Sequence, residues 1–341
     1  MSKKVLLTGA GGSIGCHLLH KILTDTDWTV VITDSFRDEH KGYLDRIAQV
    51  YAWVPDEFYR VTRLVHDLTV PFSDREAEKL SDVDFVINLA SMSDVQDSIE
   101  NPVPFVRNNV DIALNMLELA RVINPEAFIQ FSTDEVYGCD APEGTGHKEW
   151  SVIKPSNPYS ASKAMQEDIA IAYWRSFGVP LIITNTMNQF GEMQSGSKYP
   201  VKIQKTIEAG ETVTVHSLAD GTLGSRFYIH SESSAESILF ILKNTKPTLH
   251  SPGSDDLPDR YNVVGDQRID NLELAKIIAE LMGKELKYEL VNFHDSNPGH
   301  DSHYGLDGTR LNELGFRPSN TLKELLKRTI EWQQQNPEWM K

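Results

Sequence analysis

Short, uninterrupted apolar runs alternate with longer amphipathic stretches through the first half of the chain. Residues 5–7, 29–33, 58–61, 85–88, 127–132 and 181–184 read as strands, several without polar alternation. Such runs suit strands covered on both faces, as in a parallel sheet. Between them, 13–24, 75–80, 103–123 and 160–177 carry helical spacing. This alternation predicts an α/β fold with a doubly wound parallel sheet. Further on the pattern loosens. Residues 191–196, 219–224 and 251–259 are turn-rich, and helices are predicted near 199–209, 231–243, 270–282 and 321–335. The chain therefore divides into a larger domain over 1–187, rejoined by a segment at 213–245, and a smaller lobe drawn mostly from 188–341. The lobe is expected over the carboxyl ends of the strands.

Composition narrows the possible partners. A formal charge of −16 over 341 residues argues against a nucleic-acid polymer or an anionic membrane. A small anionic ligand stays open, because local cations and backbone N–H groups can bind phosphate inside an acidic protein. Cys16 and Cys139 are too few and too far apart for a disulfide framework. With no signal-peptide-like run at the start and no apolar stretch near the ~18–20 residues of a membrane span, a reducing, cytoplasmic setting is expected.

Residues 5–15, VLLTGAGGSIG, read as strand, glycine turn and helix start. Gly9 allows the tight turn, Gly12 lets the backbone approach a pyrophosphate, and Gly15 lets helix pack on strand. The free N–H groups at the helix start, around Ser13 and Ile14, then face the phosphates. Asp34 closes the second strand about 20 residues on, where a carboxylate accepts from a ribose 2′-OH. It would repel a 2′-phosphate, so NAD is favoured over NADP, although Arg37 lies close. Asp67 and Leu68, after the third strand, are candidates for the adenine side.

Tyr159 and Lys163 stand four apart, on one helical face. A free phenol, with pKa about 10, is a poor base at neutral pH, and an adjacent ammonium favours its phenolate. Thr133-Asp134-Glu135 follows the run 127–131 at a strand's carboxyl end, where active sites of open α/β sheets lie. A hydroxyl contact from Thr133 and acid and base roles for Asp134 and Glu135 follow from that position.

In that order, the glycine loop, Asp34, Asn88-Leu89-Ala90, Asn109, Ser132–Gly138, Tyr159 with Lys163, and Asn188 to Gly191 resemble the extended short-chain dehydrogenase/reductase superfamily, whose dinucleotide-binding domain is a Rossmann fold. Within it, Thr133-Asp134-Glu135 is similar to the dTDP-glucose 4,6-dehydratase group, as are Asn297–Asp301 with Tyr304 and Asp307, and Leu314–Pro318. The resemblance implies a nucleotide-diphosphate-hexose substrate and bound NAD. Tyr159 takes the 4-OH proton while hydride leaves C4, and Thr133 hydrogen-bonds that oxygen. Glu135 then takes the C5 proton, Asp134 protonates the departing C6 hydroxyl, and hydride returns to C6. It further implies cofactor contacts from Leu89, Ala90, Ser91 and Asn109, substrate contacts from Ser93, Asn188, Lys202, Arg226 and His300, and a homodimer through helices 103–123 and 160–177.

The chain departs from that pattern on the substrate side. Asp94, Gln96 and Asp97 replace His, Asp and Arg, Asn185 replaces Arg, Gln189 replaces Asn, and Asn297 replaces Arg. Dehydratase chemistry is thus better specified than any one nucleotide sugar. Three rivals share the scaffold: a 4-epimerase, a decarboxylase, and a 5,6-dehydratase using the same residues. A dinucleotide-sensing regulator is the non-enzymatic rival, expected to lose the Tyr–Lys pair that this chain keeps. His294, His300 and His303, with Asp295 and Asp301, fit no compact zinc spacing, so no metal is expected.

Overall fold

In the computed structural model, which describes residues 2–35, 42–138, 141, 146–218, 220–292 and 305–340, the first apolar run forms β1 (Lys4–Thr8). It turns at Gly9 into α1 (Ser13–Asp25), followed by β2 (Thr29–Asp34), α2 (Tyr43–Trp53), β3 (Val61–Val65), α3 (Asp74–Lys79) and β4 (Phe85–Asn88). Helices α4 (Val95–Glu100) and α5 (Pro102–Ile123) lead to β5 (Ala127–Thr133), then α6 (Pro158–Phe177) and β6 (Leu181–Thr186). Together with strand Asp259–Val263 these form a seven-stranded sheet, every neighbouring pair parallel. Its order runs from Asp259–Val263 through β6, β5, β4, β1 and β2 to β3. The order reverses at β1, which lies between β2 and β4, and a crevice opens beyond the carboxyl ends there.

The central strands β4, β5 and β6 are buried throughout because both faces are covered. One core lies under α1 and helix Ser231–Asn244, the other under α5 and α6. The strand expected at 58–61 is corrected. Pro55, Asp56 and Glu57 start a 3-10 turn over Pro55–Arg60, and the strand begins at Val61. As the sheet's edge strand, β3 leaves Thr62 and Arg63 exposed, which hides it from an apolar search. Helix α2 was not foreseen, although Ile47 and Val50 bury one face of it.

A third core gathers Ile203, Ile207, Val213, Val215, Leu274, Ile278, Leu325 and Ile330 from helices Tyr199–Glu208, Asn271–Met282 and Leu322–Gln335 and from strand Val213–Ser217, which pairs in parallel with Tyr288–Asn292. Of the segment expected to return at 213–245, Val213–Ser217 packs in this core, while helix Ser231–Asn244 packs on α1. Residues 259–263, expected in the small lobe, complete the main sheet.

Candidate active site

At the switch point a cavity of about 570 Å3 runs from the glycine turn to the small lobe. Gly9 takes φ +67°, and a Cβ there would lie 3.0 Å from the backbone of Ala90. A Cβ on Gly15 would come within 2.1 Å of the Gly9 carbonyl, so α1 can approach β1 only with glycine there. Gly12 precedes α1 with no side-chain cap, and Gly12, Ser13 and Ile14 line the cavity. Uncapped helix N–H groups facing a cavity suit an anionic ligand. With the buried Asp34 carboxylate closing β2, these residues fit a dinucleotide with a free ribose diol.

Thr133 ends β5, and its hydroxyl donates to Asp134 Oδ1 at 3.1 Å. The other Asp134 oxygen has no hydrogen-bond partner among the described residues. Burial, followed by the charge of Glu135, pushes the Asp134 carboxyl up to about 8; Thr133 and Arg226 oppose this. Glu135 accepts from Asn157 Nδ2 at 3.3 Å. Burial thus favours the protonated form of Asp134, while the carboxyl beside it has its own donor in Asn157.

Burial also raises the Tyr159 phenol above its ordinary value; Glu135 adds to the rise and a hydrogen bond with Thr133 opposes it. Lys163, on the next turn of α6, is pushed down to about 7 by burial, against the pull of Glu167. Its ammonium donates to Phe131 O at 2.7 Å and Gln166 Oε1 at 2.6 Å.

Leu89, Ala90, Ser91 and Ser93 line the same cavity from the loop after β4, with Asn188, Lys202 and Arg226 on the far side. Asp67, Leu68 and Asn109 are not among the residues that line it. Asp67 is engaged with Thr69 N and Oγ1 at 3.1 and 2.7 Å, and Leu68 packs into the core under α5. Asn109 holds the β4 loop, accepting from Met92 N and donating to Met92 O and Ser162 Oγ. His300, Arg37, Cys139 and the signature at 297–301 lie outside the described residues. Among the described residues no group of three or more His, Cys, Asp or Glu could hold a metal ion, and no helix is long and apolar enough to cross a membrane.

The family model for GDP-mannose 4,6-dehydratase matches residues 6–329. The chain belongs to that family. The low-salt glycan biosynthesis protein Agl12 of Haloferax volcanii is 30% identical over 333 residues, covering 96% of this chain and 97% of that one. A trifunctional UDP-glucose 4,6-dehydratase/epimerase/reductase of Arabidopsis thaliana is 29% identical over 99% of this chain, which spans 48% of its length. The crystal structure of the dTDP-glucose 4,6-dehydratase DesIV of Streptomyces venezuelae, with NAD bound, superposes with a TM-score of 0.82 at 27% identity, covering 98% of each chain.

Several residues of this dehydratase-family site went unforeseen. Tyr43 covers the glycine turn, since a Cβ on Gly11 would meet its ring at 2.5 Å. Asn157 serves Glu135 and Gln166 serves Lys163. Asn157 carried a signal, standing as the N-cap one residue before Pro158 at the start of α6. Gln189, noted only as a departure, lines the cavity with Gln194 and Tyr199.

Proposed function

We propose that the protein is an NAD-dependent nucleotide-sugar 4,6-dehydratase, a hydro-lyase that turns a nucleotide-diphosphate hexose into its 4-keto-6-deoxy product. One observation carries the reading: two adjacent carboxyls in different surroundings, Asp134 with its proton favoured by burial and Glu135 accepting from Asn157, line one cavity with Tyr159, Thr133 and Lys163. NAD, when bound, accepts hydride from C4 and gives it back at C6. The chain's own residues handle the protons. Tyr159, hydrogen-bonded to Thr133, takes the 4-OH proton, and Lys163 favours the phenolate. The ketone at C4 acidifies C5–H, whose proton passes to Glu135. Asp134, neutral up to about pH 8, gives its proton to the C6 hydroxyl as it leaves as water.

Asn188 Oδ1, Gln189 Oε1, Gln194 Oε1 and the Tyr199 hydroxyl, all at the cavity, have no hydrogen-bond partner among the described residues. Buried polar atoms of this kind call for ligand hydroxyls, and Lys202 and Arg226 lie near enough to meet a diphosphate. The second carboxyl favours dehydration over 4-epimerisation, which needs no acid at C6. We further propose a homodimer through α5 and α6, which pack together and leave Val103, Val122, Met165 and Phe177 exposed. A cytoplasmic location agrees with two cysteines in the whole chain.

Incubation with dTDP-, UDP-, CDP- and GDP-hexoses tests the activity. One of them should give a product lighter by one water; a product of unchanged mass in every case would overturn the proposal. Glu135→Gln should stop at the C4-oxidised stage, seen as NADH absorbance that builds up and persists.

A further inference from the structure

A line of buried amides joins the glycine turn to the catalytic lysine. The Thr8 hydroxyl, one residue before Gly9, accepts from Leu89 N and Ala90 N, each at 2.9 Å, and donates to Asn88 Oδ1 at 3.1 Å. Asn88 Nδ2 donates to Gln130 Oε1 at 2.9 Å, and Gln130 Nε2 donates to Gln166 Oε1 at 3.2 Å. Gln166 Nε2 donates to the Asn109 carbonyl at 2.6 Å. Thr8, Asn88, Gln130 and Gln166 are buried, crossing from β1 through β4 and β5 to α6. Each amide accepts at oxygen and donates at nitrogen in the same sense, so the bonds polarise one another.

The far end of this line meets Lys163. Reversing the Gln166 amide would set its NH2 against the Lys163 ammonium and its oxygen against the Asn109 carbonyl, so the orientation is fixed. An ammonium has three donors. Two are taken by Phe131 O and Gln166 Oε1, which leaves one direction for the third.

We propose that Gln166 is the positioning residue for Lys163: its amide oxygen, anchored through Gln130 and Asn88 to the glycine turn, aims the one uncommitted N–H of Lys163 at the cofactor ribose. This rests on the NAD-dependent reading above. A neutral amide suits the task because it orients the ammonium without fixing its charge, as a carboxylate at 2.6 Å would. Glu167, on the same helix, acts on the charge of Lys163, and Tyr159, Asp134 and Glu135 line the same cavity. Arg260, from strand Asp259–Val263, pairs with Glu167 at 2.8 Å.

The test is the pH dependence of NAD binding by the full chain stripped of nucleotide, which needs no sugar and reads Lys163 directly. Above the pH at which Lys163 loses its proton, NAD binding should weaken. Gln166→Met removes the acceptor, so that limb should move to lower pH by about one unit, with affinity about fivefold weaker at neutral pH. Gln166→Glu keeps an acceptor and adds a charge, so the limb should move up. Gln130→Met breaks the line one bond away and should give a smaller downward shift, even if Gln166→Met does not fold. A purely structural role would lower the unfolding temperature of the variants and leave the limb where it is. Limbs that stay in place, or move the same way for Met and Glu, overturn the proposal. Absence of NAD binding by the unsubstituted chain would instead overturn the cofactor reading beneath it.

Discussion

Asp134 and Glu135 are adjacent, yet their surroundings differ. Asp134 has a single hydroxyl partner and an oxygen without one, whereas Glu135 accepts from the Asn157 amide. The roles of acid and base follow from that difference, and it has a consequence for stability. The folded chain keeps the Asp134 proton to about pH 8, while an unfolded chain releases it near pH 4. Between those values the native state binds more protons, so this carboxyl lowers stability as pH rises. Asp134→Asn removes the titration. Its stability gain over the unsubstituted protein, measured by urea unfolding, should therefore be larger at about pH 8 than at about pH 5. Equal gains would contradict the assigned environment. At the same scale turnover should fall as pH rises through about 8, where the acid is lost.

Strand Asp259–Val263 shows what an element far along the chain does for the site. Its Arg260 is buried, pairs with Glu167 of α6 and donates to the Tyr137 hydroxyl at 3.0 Å. Asn185 of β6 bridges Glu167 Oε1 and the Thr133 carbonyl at 2.7 and 3.1 Å. One ion pair thus ties the catalytic helix to the turn that bears Asp134 and Glu135. Arg260→Met strands a buried carboxylate and should cost roughly 3–5 kcal/mol in urea unfolding, while a second change, Glu167→Met, should recover most of it. Additive losses would show that the pair is not coupled. This strand also marks where sequence reading ran out. Central strands such as β1 and β4 announce themselves by the apolar runs 5–7 and 85–87, and glycine, tyrosine and lysine spacing locates the cofactor end and the Tyr–Lys pair. Asp259–Val263 carries Asp259, Arg260 and Asn262, which are buried only because partners distant in sequence meet them. Gln166 and Asn157 escaped notice for the same reason, since a lone amide gives no pattern until its partner is in place.

At the scale of the whole molecule, two cores flank the parallel sheet and a third builds the lobe that closes the cavity. Lys198, Lys202 and Arg226 bring positive charge to the lining of the cavity in this acidic chain. The exposed apolar side chains of α5 and α6 predict a dimer, which sedimentation should detect at micromolar concentration. Met165→Glu with Phe177→Glu should shift it to monomer; an unsubstituted chain that sediments as a monomer would contradict the proposed interface. The central claim is that hydride removed from C4 returns to C6 of the same sugar after loss of water. Turnover of a nucleotide hexose carrying deuterium at C4 tests this directly. The account predicts deuterium in the C6 methyl group of a 4-keto product. Deuterium found back at C4 would mean epimerisation and contradict it.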